Sequence, residues 1–172
     1  MKNKISIISL IFFIYGCNTN PKESKLSDNN LTIDSDSIQI TYYKPKSEKY
    51  SEKIKVIREI DNNYRKTIYF YTDLQENSDT IIIDDNNIFL NSTLLKHVDE
   101  KRINYDGKNI LIKKHLYNNT YGSSNFYFDD SHKLIIKKSI SSNIVVEYLE
   151  DNVPVNIHSA IKSDTLFFKP KW

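Results

Sequence analysis

The chain has 172 residues, with 24 Lys and Arg against 22 Asp and Glu, a formal net charge of +2 and one cysteine. That length fits one domain with a real hydrophobic core, and so small a charge excess removes the electrostatic footprint of a nucleic-acid partner. A single cysteine excludes an intrachain disulfide and three glycines exclude a Gly-rich phosphate loop, so stability must come from burial and hydrogen bonding.

The first segment has three parts. Lys2 and Lys4 give a cationic start, Ile5 to Tyr15 is nearly all apolar, and Gly16 is a small residue before Cys17. This layout predicts a secretory signal peptide over residues 1–16. The apolar run is too short for a membrane span, which needs about 20 residues. A core helix is the alternative, but it would have no polar face and is followed at once by a polar tract.

Ile14-Tyr15-Gly16-Cys17 resembles the lipobox of bacterial lipoproteins, with an aliphatic residue three before the cysteine and a small one directly before it. Tyr15 departs from the usual small or aliphatic residue. The Asn-, Lys- and Ile-rich composition is similar to that of Bacteroidota, whose lipoboxes are looser. The resemblance covers about the first twenty residues and leaves the family of the mature domain open. It implies that Cys17 is the lipid attachment site, is acylated and becomes the mature N-terminus. It also implies a membrane partner, reached through the lipid, at the outer membrane of the cell envelope. Several acyl chains, at about 0.8 kcal/mol per buried methylene, make a stable anchor without a transmembrane helix. Bacteroidota surface-export signals are acidic directly after the cysteine. "CNTNPKES" offers only Glu23 beside Lys22, which favours the periplasmic face. Without Lys2 and Lys4 the basic side chains fall to 22, equal to the acidic ones.

Residues 17–37 read as the lipidated cysteine followed by a polar, flexible linker, and 38–172 as a single β-rich domain. "SEKYSEKIKVIREI" carries both helical and strand spacing. The alternation of Ile54, Val56 and Ile60 predicts a strand from Ile54, preceded by a less regular segment. "TIYFYT" alternates Ile68 and Phe70 with Tyr69 and Tyr71. Three hairpins follow, turning at Asp84-Asp85-Asn86-Asn87, at Asp106-Gly107 and at Asp129-Asp130-Ser131-His132. The strand after Gly107 sends Ile110, Ile112 and Leu116 one way and Lys113 and His115 the other. "STLLKHVDE" reads as a short helix with Ser92 as its N-cap. Residues 143–168 read as two or three further strands, with Pro154 at an edge or strand start. The sum is an all-β, mainly antiparallel meander of about nine or ten short strands with at most one or two short helices, curled into a half-barrel, barrel or sandwich.

No catalytic or metal constellation is legible, and nothing calls for a cofactor. His97, His115, His132 and His158 stand far apart in sequence, each reading as a turn or surface residue rather than a local metal pair. Asp84-Asp85 and Asp129-Asp130 fit turns better than calcium or acid–base sites. Tyr121-Gly122-Ser123-Ser124 is an incomplete nucleophile elbow. Asp36-Ser37-Ile38, Asp79-Thr80-Ile81 and Asp164-Thr165-Leu166 resemble the O-glycosylation acceptor of Bacteroidota envelope proteins, and strand entry explains the last two equally well. Tyr69, Tyr71, Tyr117, Tyr121 and Tyr127 are the candidate contact residues, expected on the solvated face and suited to a protein or glycan partner. The functional expectation is a non-catalytic binding or envelope-maintenance module. A lipid or lipoprotein carrier with an apolar cavity and a hydrolase with a dispersed site are the alternatives.

Overall fold

Period-two alternation governs the part of the chain that the computed structural model describes, residues 31–61, 64–71, 78–105, 107–150, 153, 154 and 156–169. Eleven strands form: β1 (Thr32–Tyr43), β2 (Lys49–Ile60), β3 (Tyr64–Phe70), β4 (Ser78–Asp84), β5 (Asn87–Leu90), β6 (Thr93–Leu94), β7 (Lys96–Tyr105), β8 (Lys108–Asn119), β9 (Gly122–Phe128), β10 (Leu134–Ser139) and β11 (Val145–Leu149). Two short helices follow, α1 (Ile157–Ser163) and α2 (Thr165–Phe168). All strands join one sheet in the order β6-β5-β4-β3-β2-β1-β11-β10-β9-β8-β7. Every neighbouring pair is antiparallel, and the sheet curls into a nearly closed barrel. The expected fold class stands.

The two edge strands, β6 and β7, are separated in sequence only by Leu95. Leu95 is buried, and its amide donates to the Ile88 carbonyl at 2.7 Å. The barrel bore is filled. Ile38, Ile40, Ile54, Val56, Ile81, Phe126, Phe128 and Tyr148 meet there, each side chain of this kind contributing about 1.5–3 kcal/mol by burial. A second cluster lies outside the barrel, where Ile112, Tyr127 and Ile135 pack against Ile157, Ile161 and Phe167 of the helices. A bulge between Leu134 and Ile136 sends Leu134 to the bore and both Ile135 and Ile136 to the outer cluster.

Charged clasps hold the helices on. Lys114 is fully buried and donates to the Phe167 carbonyl at 2.8 Å and the Lys169 carbonyl at 2.5 Å. Lys138 donates to the Phe168 carbonyl at 3.1 Å. These lysines satisfy carbonyls that the end of α2 leaves without intrahelical partners. Lys101 pairs with Asp164, whose side chain also accepts from the Phe167 amide as the N-cap of α2.

Four expectations are corrected. The helix expected at "STLLKHVDE" is strand. Asn91 and Ser92 both take positive φ (46° and 70°), the geometry of a two-residue hairpin turn rather than a helix N-cap, and pairing to β5 and β8 overrides helical spacing. The strands expected beyond β11 are α1 and α2, because Ile157 and Ile161 share a helical face that buries against the sheet. The strand before Ile54 is regular: β1 and β2 pair over twelve positions, from Thr32↔Ile60 to Tyr43↔Lys49. β1 therefore enters the segment assigned to the linker. Finally, β8 has no wet face at its centre: Ile112 lies under the helices and His115 faces the bore. The hairpin turns at residues 84–87 and 129–132 form as expected. Of the turn expected at Asp106-Gly107, Asp106 lies outside the described residues; Tyr105 pairs with Lys108, and Gly107 takes φ 73°. Residues 1–16 and Cys17 lie outside the described residues.

Candidate functional site

Inward-facing residues change character at the ends of the bore. Toward one end, β1 and β2 run from Ile40 and Ile54 to Tyr42, Tyr50 and Glu52. These join Tyr71, Asp79, Lys137 and Tyr148 around a mouth of about 500 Å³, with Lys44, Asn91 and Val146 also lining it. Tyr42 and Tyr50 are directly paired across the strands, and their rings stack at 5.4 Å. Both hydroxyls donate to Glu52, Tyr42 to Oε1 at 2.8 Å and Tyr50 to Oε2 at 3.1 Å.

Deeper in the mouth a second network crosses the bore. Tyr71 donates to Asp79 Oδ2 at 2.8 Å, and Lys137 Nζ donates to the same oxygen at 2.7 Å. The Tyr148 and Tyr71 hydroxyls are 3.1 Å apart. Since the Tyr71 proton serves Asp79, Tyr148 is the donor to Tyr71. Burial, then Tyr148 and Asp79, hold the Tyr71 phenol far above its ordinary range, and burial does the same for Tyr148. Both are neutral hydrogen-bonding groups at any physiological pH. The Asp79–Lys137 pair joins β4 to β10, which are not sheet neighbours, so it ties opposite walls together.

At the other end Arg58 Nη2 meets Glu150 Oε2 at 3.0 Å, and Tyr69 donates to Glu150 Oε1 at 3.0 Å. A depression of about 570 Å³ there is lined by Asp61, Tyr64, Arg65, Asp85 and His132. Arg65 donates to the Ser131 carbonyl. The Ser131 hydroxyl donates to Asp129 Oδ1 at 2.8 Å, a bond internal to the turn, so it is not aimed at His132 as a nucleophile is at its base. Burial, Lys113 and Arg65 lower the His132 pKa.

The five candidate tyrosines do not form a patch. Tyr69 is buried in the bore under its bond to Glu150. Tyr127 is buried beneath the helices, its hydroxyl 3.3 Å from the Phe168 carbonyl. Their expected exposure is therefore corrected: on β3 the tyrosine face is the inner one and Phe70 is outside, and on β9 α2 covers the outer face. Tyr117 is half-buried against Phe126, and Tyr121 stands in solvent at the β8–β9 turn, 95% exposed. Only Tyr71 belongs to the mouth. Tyr42, Tyr50 and Tyr148 were missed; the signal for the first two was the alternation of "IQITYY" and "KYSEKI", had both been read as paired strands.

The histidines are also rearranged. His97 and His115 are direct cross-strand partners on β7 and β8, and His158 is buried on α1 with Nε2 3.0 Å from the Tyr148 carbonyl. Only His132 is a turn residue, at φ 63°. Among the described residues no group of three or more His, Cys, Asp or Glu is placed to hold a metal ion, and no helix is long and apolar enough to cross a membrane. Asp79 and Asp164 of the Asp-Thr motifs are engaged in the mouth network and the α2 cap.

The sequence matches no protein-family model and no curated protein.

Proposed function

We propose that the domain is a non-catalytic binding module that takes a neutral, hydroxyl-rich ligand of sugar-ring size at its tyrosine-lined mouth. The observation that carries this reading is the convergence of four tyrosines with Glu52 and Asp79 on one end of an otherwise filled bore. Aromatic faces supply apolar contact for the C–H face of a sugar ring, and the carboxylates accept its hydroxyl protons. Lys44 and Lys137 supply donors beside them. The filled bore weighs against a lipid carrier, because acyl chains need a deep apolar cavity and the side chains of Ile40, Val56 and Phe126 occupy that space.

The reading includes the address. Cys17, acylated and exposed by cleavage, holds the domain at the envelope membrane, on the periplasmic side of the outer membrane. Mass spectrometry of the purified protein should find a lipidated N-terminal peptide beginning at Cys17, and Cys17→Ala should release the protein or leave it unprocessed. An unmodified wild-type N-terminus refutes this half.

The mouth is tested by glycan-array screening, followed by titration of any hit against Tyr50→Ala. Tyr50 is partly exposed and leaves the bore intact when truncated. Binding should weaken at least tenfold. Equal affinity in the variant, or a wild-type domain that retains no glycan, refutes the site.

A further inference from the structure

His97 and His115 carry an observation that the tyrosine mouth does not use. They stand directly opposite one another on β7 and β8, beside the bulge between His97 and Asp99, with ring centroids 5.2 Å apart. The His115 ring is 5% exposed, and neither Nδ1 nor Nε2 has a hydrogen-bond partner in normal geometry, although the Leu95 backbone lies close by. That backbone serves one nitrogen at most, and a buried imidazole nitrogen left unsatisfied is costly and calls for an explanation. Its edge-to-face contact with Phe128 satisfies the ring but not the nitrogens. His97 is half-exposed, and its Nε2 is 3.7 Å from Glu100 Oε2.

A neutral imidazole offers a lone pair, and it is the commonest metal ligand in proteins. Two imidazoles sharing one ion, with metal–nitrogen bonds of about 2.0–2.1 Å and a tetrahedral angle, place their ring centroids about 5 Å apart. The 5.2 Å separation of the His97 and His115 rings matches that spacing. We propose that His97 and His115 form a two-histidine site for a borderline divalent transition-metal ion, Cu²⁺, Ni²⁺ or Zn²⁺, with water in the remaining positions. Imidazole selects these ions over Mg²⁺ and Ca²⁺, and affinity should follow Cu²⁺ above Ni²⁺ and Zn²⁺.

The full chain is titrated with NiCl₂ and CuCl₂ by calorimetry, and the Cu²⁺ form is examined by electron paramagnetic resonance. One equivalent should bind, with hyperfine structure from two imidazole nitrogens. His97→Ala, at a half-exposed position, should weaken binding at least tenfold while leaving circular dichroism unchanged. His132→Ala should bind as the wild type does. Because His115 substitutions risk the fold, the unaltered protein supplies a second readout: traces of Cu²⁺ should broaden the ring-proton resonances of His97 and His115 before those of His132 and His158. Equal affinity in His97→Ala, or broadening that spares either His97 or His115, overturns the proposal.

Discussion

The Asp79–Lys137 pair offers the sharpest test of how the barrel is held. Asp79→Ala removes an oxygen that accepts from both Tyr71 and Lys137, and Lys137→Met removes the amine, which also lies 5.5 Å from the Phe126 ring centroid, while keeping an unbranched apolar side chain of similar length. The pair is partly buried, with the Asp79 side chain 17% and the Lys137 side chain 27% exposed. Exposed pairs couple by at most about 1 kcal/mol, and breaking a fully buried pair costs about 3–5 kcal/mol, so each single substitution here should cost about 2 kcal/mol. The Tyr71 hydroxyl keeps its contact with Tyr148 when Asp79 is removed, which limits the loss. For a domain of this size about 2 kcal/mol lowers the melting temperature by roughly 6–10 °C. Urea unfolding of wild type, both single variants and the double variant closes a double-mutant cycle. Coupling of about 1–2 kcal/mol is expected, above the roughly 0.3–0.5 kcal/mol scatter of independent sites. Additive losses within that scatter would show that the pair does not tie β4 to β10.

Other perturbations separate the bore from the outer face. Lys114→Met should cost about 2–3 kcal/mol by leaving the Phe167 and Lys169 carbonyls unsatisfied, and hydrogen exchange should speed up in α1 and α2 but not in β1–β4. Tyr127→Ala should cost about 3–5 kcal/mol, whereas Tyr121→Ser should stay within about 0.5 kcal/mol, as thermal melts will show. Burial, with smaller effects from His97, Lys113 and His132 against the Leu95 backbone, lowers His115 to about 4 from an ordinary 6.5. The folded state thus disfavours the protonated ring. Its contribution to stability is complete above pH 6.5 and is lost as pH falls toward 4, amounting to at most about 3 kcal/mol. His115→Phe should flatten the pH dependence of urea midpoints across that window, and an unchanged slope would count against burial as the cause.

Hairpins were legible because their signals are local: Asp-Asn and Asp-Gly turns between alternating runs specify their own neighbours. The faces were harder. Alternation separates Tyr69 from Phe70 on β3 but does not say which side is enclosed, and a tyrosine whose hydroxyl finds Glu150 buries as readily as an isoleucine. α1 and α2 were misread because Ile157 and Ile161 fit either period in so short a segment, and their helical face has meaning only against Tyr127 and Ile135. The mouth was invisible for a different reason. Tyr71, Asp79, Lys137 and Tyr148 come from four separated stretches, and no spacing rule connects residues that meet only when the sheet curls.

The meeting of β6 and β7 at Leu95 sets how this chain can find its fold. Each strand pairs with its predecessor in sequence except at two points: β6 and β7 are not paired ladders, and β1 reaches across to β11. That one seam, with Gln39 opposite Leu149, carries the long loop-closure entropy, while the other ladders form between immediate neighbours. A circular permutant that opens the chain between Leu94 and Lys96 and links the segment after β11 to β1 would turn the order into an unbroken run of adjacent hairpins. Its contacts, bore and mouth would be the same, with less entropy to overcome before the walls meet, so it should fold faster at similar stability.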